Sequence, residues 1–464
     1  MAFSLAYAVK TPKWNAPDEP AHFNYIKHLA TTATLPVLQP GDYDQEYLSK
    51  LTTAKFPDSL PVDSLRYASH HPPLYYILAA PVYRLSEGLG LDSQVLVLRG
   101  MSILYGTVLL LVCFALIGEV LPSQRLIALG TTAFAAGVPM HVAMTAAVNN
   151  DTLAELVLTA ALLVSVRGLR RGFSYRRSAI LGALLGLALL TKTTIYAALP
   201  LAFVALWARS YALTPARQAT RARGRSFAGA LEWAGGEPAG EAAAPAMASH
   251  EGVGTVPREG DEPSFARQVL LVYGMAFAVS AWWFLRNMLT YGWQDPFGLL
   301  RHDAVVVGQP RTVFSWAALE YWLTTTFQSF WAQFGWMGIV VDRRLYLALA
   351  ALTALSALGL AVFLFRVKRD PNRLLVPERW TLVLMALCWL FVLGEFVFYN
   401  LNFIQAQGRY LFPAIAPIGL FFTLGLLQLV PTALAPLAVL GLYAGLLALD
   451  YLCLARFIAP FFGT

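Results

Sequence analysis

Residues 95–119 read VLVLRGMSILYGTVLLLVCFALIGE, a long apolar run. A helix needs about 20 apolar residues to cross the hydrocarbon core of a bilayer, so this run predicts a membrane span. Comparable runs recur as far as the C-terminus. The chain is 57% hydrophobic and 13% charged, whereas soluble domains carry about 25% charged residues. The sequence therefore predicts an all-α, polytopic membrane protein.

The apolar runs also predict the number of helices. Ten spans are expected, at residues 95–119, 125–140, 152–166, 178–190, 194–208, 269–285, 345–365, 381–399, 411–430 and 432–452. Several are shorter than the ~20 residues that a span needs, so their bounds are approximate. Residues 1–9 are apolar but too short to cross, and they lack the charged start and cleavage site of a signal peptide. We expect them to be the end of a truncated first helix, which gives about 11 membrane helices.

Basic residues predict the orientation of these helices. Three Arg-rich clusters lie between apolar runs, at residues 167–177, 217–225 and 366–373. Cytoplasmic loops of membrane proteins carry an excess of Lys and Arg, so all three clusters are placed in the cytoplasm. The net charge of +7 is explained by these loops and does not indicate a nucleic-acid partner. The three cysteines, Cys113, Cys388 and Cys453, lie inside apolar runs and are predicted to be packing residues.

The segment Pro73–Leu85 decides which loops share the outer face. It is apolar but short, and counting it as a full span would place Asp18 on the cytoplasmic side with the arginines. We predict an interfacial or re-entrant helix instead, with Tyr75 and Tyr76 as interfacial belt residues. This leaves two long outer loops, at residues 10–94 and 286–343, that contain interfacial helices.

The same pattern divides the chain into two membrane modules. The N-terminal module covers residues 1–208 with the first outer loop, and the C-terminal module covers 268–464 with the second. Residues 209–267 are rich in Ala, Gly, Arg and Glu with little apolar periodicity, which predicts a flexible cytoplasmic linker; a small folded insertion is the alternative. The predicted location is the inner (cytoplasmic) membrane.

An acidic pair stands at the start of the first outer loop. Residues 15–20 read NAPDEP, so Asp18 and Glu19 lie between two prolines that block continuation of a helix. Carboxylates at a membrane are costly and usually functional. A solvated turn before a surface helix is the alternative interpretation.

Further polar residues follow at the predicted outer ends of the spans. His70 and His71 suit contact with an anionic head group or a metal, or they anchor the loop at the interface. Asp151 is placed to cap a helix, and together with His22 it also suits a metal or an acceptor hydroxyl. Gly408 allows close approach to a ligand, and Arg409 beside Tyr410 offers a planar fork suited to phosphate, although for this motif taken alone interfacial snorkelling is the better explanation. The remaining basic candidates on this face are Lys192 and Arg286.

These stretches together resemble a family. They are DEPAHF (18–23), HPPLYY (71–76), ND (150–151), TK (191–192), RN with YG (286–287 and 291–292) and QGRY (407–410). In this order they resemble GT-C-type membrane glycosyltransferases, in particular bacterial proteins related to protein O-mannosyltransferases and the lipid A aminoarabinose transferase. The resemblance implies a sugar donor linked to polyprenyl phosphate, an active site on the outer face, and a catalytic base at Asp18 or Glu19. The chain departs from the family by lacking a complete first helix.

The residues fit that chemistry. A carboxylate serves as the base that deprotonates the acceptor, and cations neutralise the leaving phosphate. The candidates for binding the donor phosphate or substrate are His70, His71, Lys192, Arg286, Arg409 and Tyr410. No cofactor is required and a divalent metal stays open; the acceptor is a glycan, a lipid or a protein. The alternatives are a transporter or flippase for a lipid-linked sugar, and a non-catalytic scaffold of an envelope polysaccharide complex.

Overall fold

The protein is built almost entirely from helices. The computed structural model describes residues 1–213, 262–309, 312 and 315–464. The α-helices are α1 (Ala2–Lys10), α2 (Glu19–Thr32), α3 (Gln45–Thr53), α4 (Leu74–Leu85), α5 (Leu91–Val120), α6 (Arg125–Gly137), α7 (Pro139–Thr145), α8 (Asp151–Arg171), α9 (Tyr175–Leu189), α10 (Ala198–Trp207), α11 (Phe265–Tyr291), α12 (Leu299–Val305), α13 (Trp316–Trp331), α14 (Arg343–Arg369), α15 (Val376–Asn402), α16 (Ile415–Gln428), α17 (Ala435–Leu452) and α18 (Ala459–Phe462). Short 3₁₀ or π segments are Tyr67–His70, Thr193–Ile195, Ala208–Ala212, Pro371–Arg373, Gly408–Ala414, Thr432–Leu434 and Cys453–Ile458. The predicted all-α, polytopic membrane architecture is confirmed.

Every predicted span falls on a helix, but the count of about 11 is not confirmed. Within the described residues, eight helical stretches are long and apolar enough to cross a membrane, and the pair α6 and α7, bent by 67°, makes a possible ninth. The eight are Leu91–Val120, Asp151–Arg171, Thr193–Ala212, Phe265–Tyr291, Arg343–Arg369, Val376–Leu401, Gly408–Gln428 and Thr432–Phe462. The predicted span at 178–190 corresponds to α9, whose 15 residues are shorter than the roughly 20 that a span needs.

Helix α9 packs unusually closely against α11. A Cβ at Gly182 would lie 2.8 Å from the Cβ of Met275, and one at Gly186 would lie 2.6 Å from the Cβ of Val279. Two small residues four positions apart let helix backbones approach each other inside a membrane. This contact joins the segments that precede and follow residues 214–261.

The predicted interfacial helix is α4. Its 12 residues rise about 18 Å, less than the ~30 Å thickness of the hydrocarbon core. The prediction that Tyr75 and Tyr76 are interfacial belt residues is wrong. Both are 0% exposed and belong to the main hydrophobic core. They are buried because α4 packs against α2 and α5.

The second outer loop contains an element that the sequence did not predict. Strands β1 (Gln333–Phe334) and β2 (Ile339–Val340) form a small antiparallel hairpin with Gln333 opposite Val340. Its turn residue Trp336 donates from Nε1 to the carbonyl of Trp14 at 2.8 Å. The hairpin thereby joins the second loop to the stretch that carries the acidic pair. The preceding helix α13 leaves Trp316 87% exposed, as expected of an interfacial helix.

The helices have two chemically distinct ends. Helix α8 runs from Asp151 to Arg171, and its 21 residues rise about 30 Å, enough to cross a bilayer. At the far end Arg171 pairs with Glu119 at 2.8 Å. The predicted linker bounds need correction at both sides, since Ala208–Ala212 is helical and α11 already begins at Phe265. The rest of that linker, residues 214–261, lies outside the described residues.

The orientation of the two ends gives a topological prediction. We expect a single cysteine at Asp58, whose side chain is 85% exposed, to react with an impermeant maleimide from outside the cell. A cysteine at the exposed Arg176 should react only after permeabilisation, because arginine-rich ends stay in the cytoplasm. The native Cys113, Cys388 and Cys453 are buried and give little background. The reverse labelling pattern would overturn the orientation.

Candidate active site

Asp18 lies at the start of α2 in a left-handed backbone conformation. Its φ is 64°, and the helix that follows begins at Glu19 with Pro20 in the first turn. Aspartate visits this conformation more readily than most residues. The Tyr67 hydroxyl donates to its Oδ1 at 2.9 Å, and Nη2 of Arg409 donates to its Oδ2. The side chain keeps 29% of its surface exposed, so the carboxylate is both held and accessible.

The ionisation of Asp18 follows from these two partners. Burial by itself raises the pKa of this carboxyl, but the guanidinium of Arg409 and the Tyr67 hydroxyl outweigh burial and lower the pKa below its usual value. Burial and the neighbouring Asp18 charge raise the pKa of Tyr67, which keeps its hydroxyl protonated as a donor. Asp18 is therefore a carboxylate at neutral pH.

Glu19 has a different environment from its neighbour. Its carboxylate is 0% exposed and accepts four hydrogen bonds. Arg99 donates to both oxygens at 2.8 and 2.6 Å, and the backbone N–H groups of Trp14 and Val148 donate at 2.9 and 3.1 Å. The same guanidinium donates to the carbonyls of Ala8 and Thr11. All four hydrogen bonds come from within the protein, so the Glu19 carboxylate fixes the loop.

A second acid–base pair forms at the start of α8. Asp151 accepts a charged hydrogen bond from Nζ of Lys192, and the two side chains are 21% and 10% exposed. The expectation that Asp151 caps this helix is wrong, because Asp151 is the first helical residue and Asn150 occupies the N-cap position without a side-chain cap hydrogen bond. The Asp151 N–H donates instead to Oδ1 of Asn149 at 3.0 Å. The Asp151 side chain is then free to bind Lys192.

His22 lies among the two ion pairs of the site, Asp18 with Arg409 and Asp151 with Lys192. Its Nδ1 is 2.8 Å from the Tyr76 hydroxyl. Burial lowers its pKa to about 4; Lys192 and Arg409 lower it too, while Asp18 and Asp151 raise it. All four charges therefore act on one imidazole, which brings together polar residues from four separate stretches of the chain. His22 is neutral at neutral pH.

The histidine pair stacks beside His22. His71 lies parallel to His22 with ring centroids 5.7 Å apart, and His70 contacts both His71 at 4.3 Å and His302 at 4.5 Å. Burial, followed by the neighbouring His302, lowers the pKa of His70 to about 3, and burial holds the pKa of His71 well below its usual value. Both are neutral imidazoles without positive charge; the N–H of His70 is donated from Nδ1 to the Tyr67 carbonyl at 2.9 Å, so of the two only His71 has an N–H to offer a phosphate.

The candidate metal ligands are engaged by other side chains. Within the ranges that the structure describes, no three His, Cys, Asp or Glu side chains converge so as to hold an ion. Asp18 and Asp151 are each bound by a cationic side chain, which a metal would have to displace. Neutral His22 supplies a single further nitrogen close to them.

Arg409 is held in place by its own neighbours and by helix α13 of the second outer loop. It is 6% exposed, its Nε donates to Gln407 at 2.7 Å, and its guanidinium lies 5.1 Å from the centroid of the Tyr410 ring. The preceding Gly408 is pressed against α13, since a Cβ there would lie 2.6 Å from Cα of Phe330. Its N–H donates to Ser329 Oγ at 2.7 Å. The glycine thus allows close approach of a helix, where the sequence suggested a ligand.

This close contact gives a stability prediction. Gly408→Ala should destabilise the protein by about 1–3 kcal/mol, because overpacking forces the backbone of α13 to shift. Thermal unfolding of the purified protein in detergent measures the loss. Gly441→Ala is the matched control, since nothing lies within 4 Å of a Cβ at that position. Equal melting temperatures for the two variants would contradict the prediction.

Arg286 lies at the flank and does not contact the acids. Its guanidinium donates to the carbonyl of Pro36 at 2.6 Å and to Asn287 at 3.0 Å, and it lies over the rings of Trp283 and Tyr291. These contacts connect α11 to the first outer loop. Of the predicted phosphate binders, the structure brings Lys192 and Arg409 beside the acids and leaves Arg286 outside.

Several residues of the site were missed in the sequence. Arg99 had a signal, because a lone arginine inside an apolar run usually has a buried partner. Tyr67 and His302 had none. A buried pair of His141 and Glu155, at 2.8 Å, lies one helical turn beyond Asp151; the four-residue spacing of Asp151 and Glu155 places both on one face of α8.

Part of the chain is similar to a known protein family. Residues 70–221, about a third of the chain, match the family model described as dolichyl-phosphate-mannose-protein mannosyltransferase. This range includes His70, His71, Asp151 and Lys192 but neither Asp18 nor Arg409. No curated protein matches the chain.

Two solved structures match the chain over nearly its whole length. One is the oligosaccharyltransferase of Archaeoglobus fulgidus in complex with Zn and sulfate, with 15% identity, a TM-score of 0.45, and coverage of 98% of this chain and 51% of that chain. The other is ArnT from Cupriavidus metallidurans bound to undecaprenyl phosphate, with 14% identity, a TM-score of 0.47, and coverage of 99% and 72%. The chain thus spans about half the length of the archaeal enzyme. The resemblance to GT-C-type membrane glycosyltransferases that the sequence motifs indicated is confirmed by the family match.

Proposed function

We propose that this protein transfers a sugar from a polyprenyl-phosphate-linked donor to an acceptor on the outer face of the membrane. The observation that carries the proposal is the ion pair between the partly exposed Asp18 and the buried Arg409 at one end of the bundle. It places a carboxylate and a guanidinium side by side, which are the two groups that the reaction requires. The family match over residues 70–221 supports glycosyl transfer as the class of reaction.

The reaction is a displacement at the anomeric carbon. The acceptor hydroxyl oxygen forms the new bond to that carbon, and the bond from the carbon to the phosphate oxygen breaks with inversion. Asp18 takes the proton of the acceptor hydroxyl as general base. The leaving group is the polyprenyl phosphate, whose negative charge Arg409 and Lys192 neutralise. The phosphate ester already carries the leaving-group energy, so no nucleotide takes part.

The other candidates have supporting roles in this proposal. Glu19 is a positioning residue that fixes the loop through Arg99, and Asp151 orients Lys192. The neutral imidazoles of His22 and His71 suit hydrogen bonds to sugar hydroxyls.

Location follows from the two ends of the helices. The Asp18 end faces the exterior of the inner membrane, because the opposite end carries the arginine-rich segments around Arg171. The donor then reaches the site from the bilayer, and the acceptor, a glycan, lipid or protein, reaches it from outside.

A second candidate is a transporter or flippase for a lipid-linked sugar. One observation favours it: the consecutive apolar helices α6 and α7 are bent by 67° relative to each other, and His141 next to this bend pairs with Glu155 in a buried position. Transporters commonly bind substrate at broken helices near the bilayer midplane.

One experiment separates the two. The full chain is reconstituted in vesicles with a polyprenyl-phospho-sugar labelled in both the sugar and the lipid, and an acceptor mixture from the cell envelope is added. Glycosyl transfer releases free polyprenyl phosphate and moves the sugar label to the acceptor. If the donor instead changes leaflet without being cleaved, the protein is a flippase and the glycosyltransferase proposal is wrong.

A further inference from the structure

We propose that the donor phosphate takes Arg409 away from Asp18, so that binding of the donor releases the base. This inference rests on the proposed function. It concerns the order of events at the site: the acceptor is deprotonated only after the donor has bound.

The starting point is that Asp18 is held on both oxygens. Tyr67 donates to Oδ1 at 2.9 Å, and Arg409 donates to Oδ2 as an ion pair. An ion pair stabilises the charged form of a carboxylate and makes it a weaker base. With Arg409 in place, Asp18 has little tendency to take a proton from a hydroxyl group. The base therefore becomes effective when the guanidinium moves to another anion.

A phosphate is the anion that suits this guanidinium. Arginine binds phosphate through two parallel hydrogen bonds, whereas in the structure Asp18 accepts from Nη2 and Gln407 accepts from Nε. Moving Arg409 from Asp18 to the phosphate replaces one hydrogen bond to the carboxylate with the two parallel hydrogen bonds that a guanidinium prefers. Tyr67 stays on Oδ1 and keeps the carboxylate in position, which makes it a positioning residue.

The charge balance of the site points the same way. Two carboxylates, Asp18 and Asp151, face two cations, Arg409 and Lys192, in two separate pairs. Burial keeps the pKa of His22 at about 4, so this imidazole adds no charge at neutral pH. An incoming phosphate thus meets a site without net charge among these five groups. It gains a cation by competing with one of the carboxylates.

The competition has a measurable consequence in equilibrium binding. Undecaprenyl phosphate is titrated into the full-length protein in nanodiscs at neutral pH, for the wild type, Asp18→Asn, Arg409→Ala and the double variant. Asp18→Asn should bind roughly tenfold more tightly, because the competing carboxylate is gone. Arg409→Ala should bind more weakly. In the Arg409→Ala background, Asp18→Asn should give no gain, because no guanidinium remains to be released.

Matched variants complete the design. Asp151→Asn is the control for simple electrostatic repulsion between a carboxylate and the phosphate. It removes a negative charge from the same site, but Asp151 pairs with Lys192 and not with Arg409. Asp18→Ser replaces Asp18→Asn if that variant unfolds. The proposed exchange of Arg409 from Asp18 to the phosphate is wrong if Asp18→Asn still tightens undecaprenyl phosphate binding in the absence of Arg409. It is also wrong if Asp151→Asn tightens binding by the same Arg409-dependent factor. In both cases the proposal of glycosyl transfer stands. If the wild type does not bind undecaprenyl phosphate at all, both proposals are wrong.

Discussion

Asp18→Asn is expected to slow sugar transfer at least about a hundredfold, because removing a general base typically costs 10²- to 10⁴-fold in rate. The amide keeps the size of the side chain and cannot accept the proton. Donor binding should survive, so the loss falls on the rate of transfer at saturating donor. The measurement is single-turnover release of labelled polyprenyl phosphate from the full chain in vesicles.

Two variants make this result interpretable. Asp58→Asn changes an acid of the same loop whose side chain is 85% exposed and should leave the rate unchanged. Glu19→Gln tests the neighbouring carboxylate. If Glu19→Gln is inactive in a folded protein while Asp18→Asn turns over normally, the two roles are exchanged. Normal turnover by both single variants and by the double variant would refute the glycosyltransferase proposal.

Arg99→Ala is expected to destabilise the protein by about 3–5 kcal/mol, since it leaves the Glu19 carboxylate buried without its counter-ion. Glu19 is 0% exposed, and the two side chains lie 2.6 Å apart. The substitution also removes the donors that hold the carbonyls of Ala8 and Thr11. The loss is measured as a fall in thermal stability in detergent and as faster proteolysis.

Lys27→Ala is the control variant, because it breaks an ion pair that is exposed instead of buried. Lys27 and Asp63 are also an ion pair, at 2.9 Å, but their side chains are 46% and 60% exposed. Such surface pairs contribute roughly 0–1 kcal/mol. A similar, small loss of stability in both variants would mean that the Glu19–Arg99 pair does not hold the loop.

Hydropathy made the helices predictable. Each predicted run lies on a helix because apolar side chains that face lipid can be recognised without knowing their neighbours. The count of spans was less certain, since it depends on packing. The 15-residue α9 reads as a span in sequence but is short, and it uses Gly182 and Gly186 to approach α11.

The members of the site were also largely predictable. Asp18, His71, Asp151, Lys192 and Arg409 stand next to apolar runs, and polar residues in such positions lie at helix ends. Residues at the same ends of adjacent helices converge, so the sequence identified most of the cluster. Arg286 has the same sequence signature, yet it binds the carbonyl of Pro36 and stays at the flank.

Which partner each residue binds was decided by the tertiary structure. Asp18 and Glu19 are adjacent carboxylates that the sequence does not distinguish. The left-handed conformation at Asp18 turns it toward Tyr67 and Arg409, while Glu19 points to Arg99 and the Val148 N–H. Composition and periodicity determined that carboxylates stand at one end of a helical bundle. Contacts between residues 49 to 391 positions apart determined that one is accessible and the other is buried, because hydrogen bonds require side chains to meet at about 3 Å and only the folded chain sets those distances.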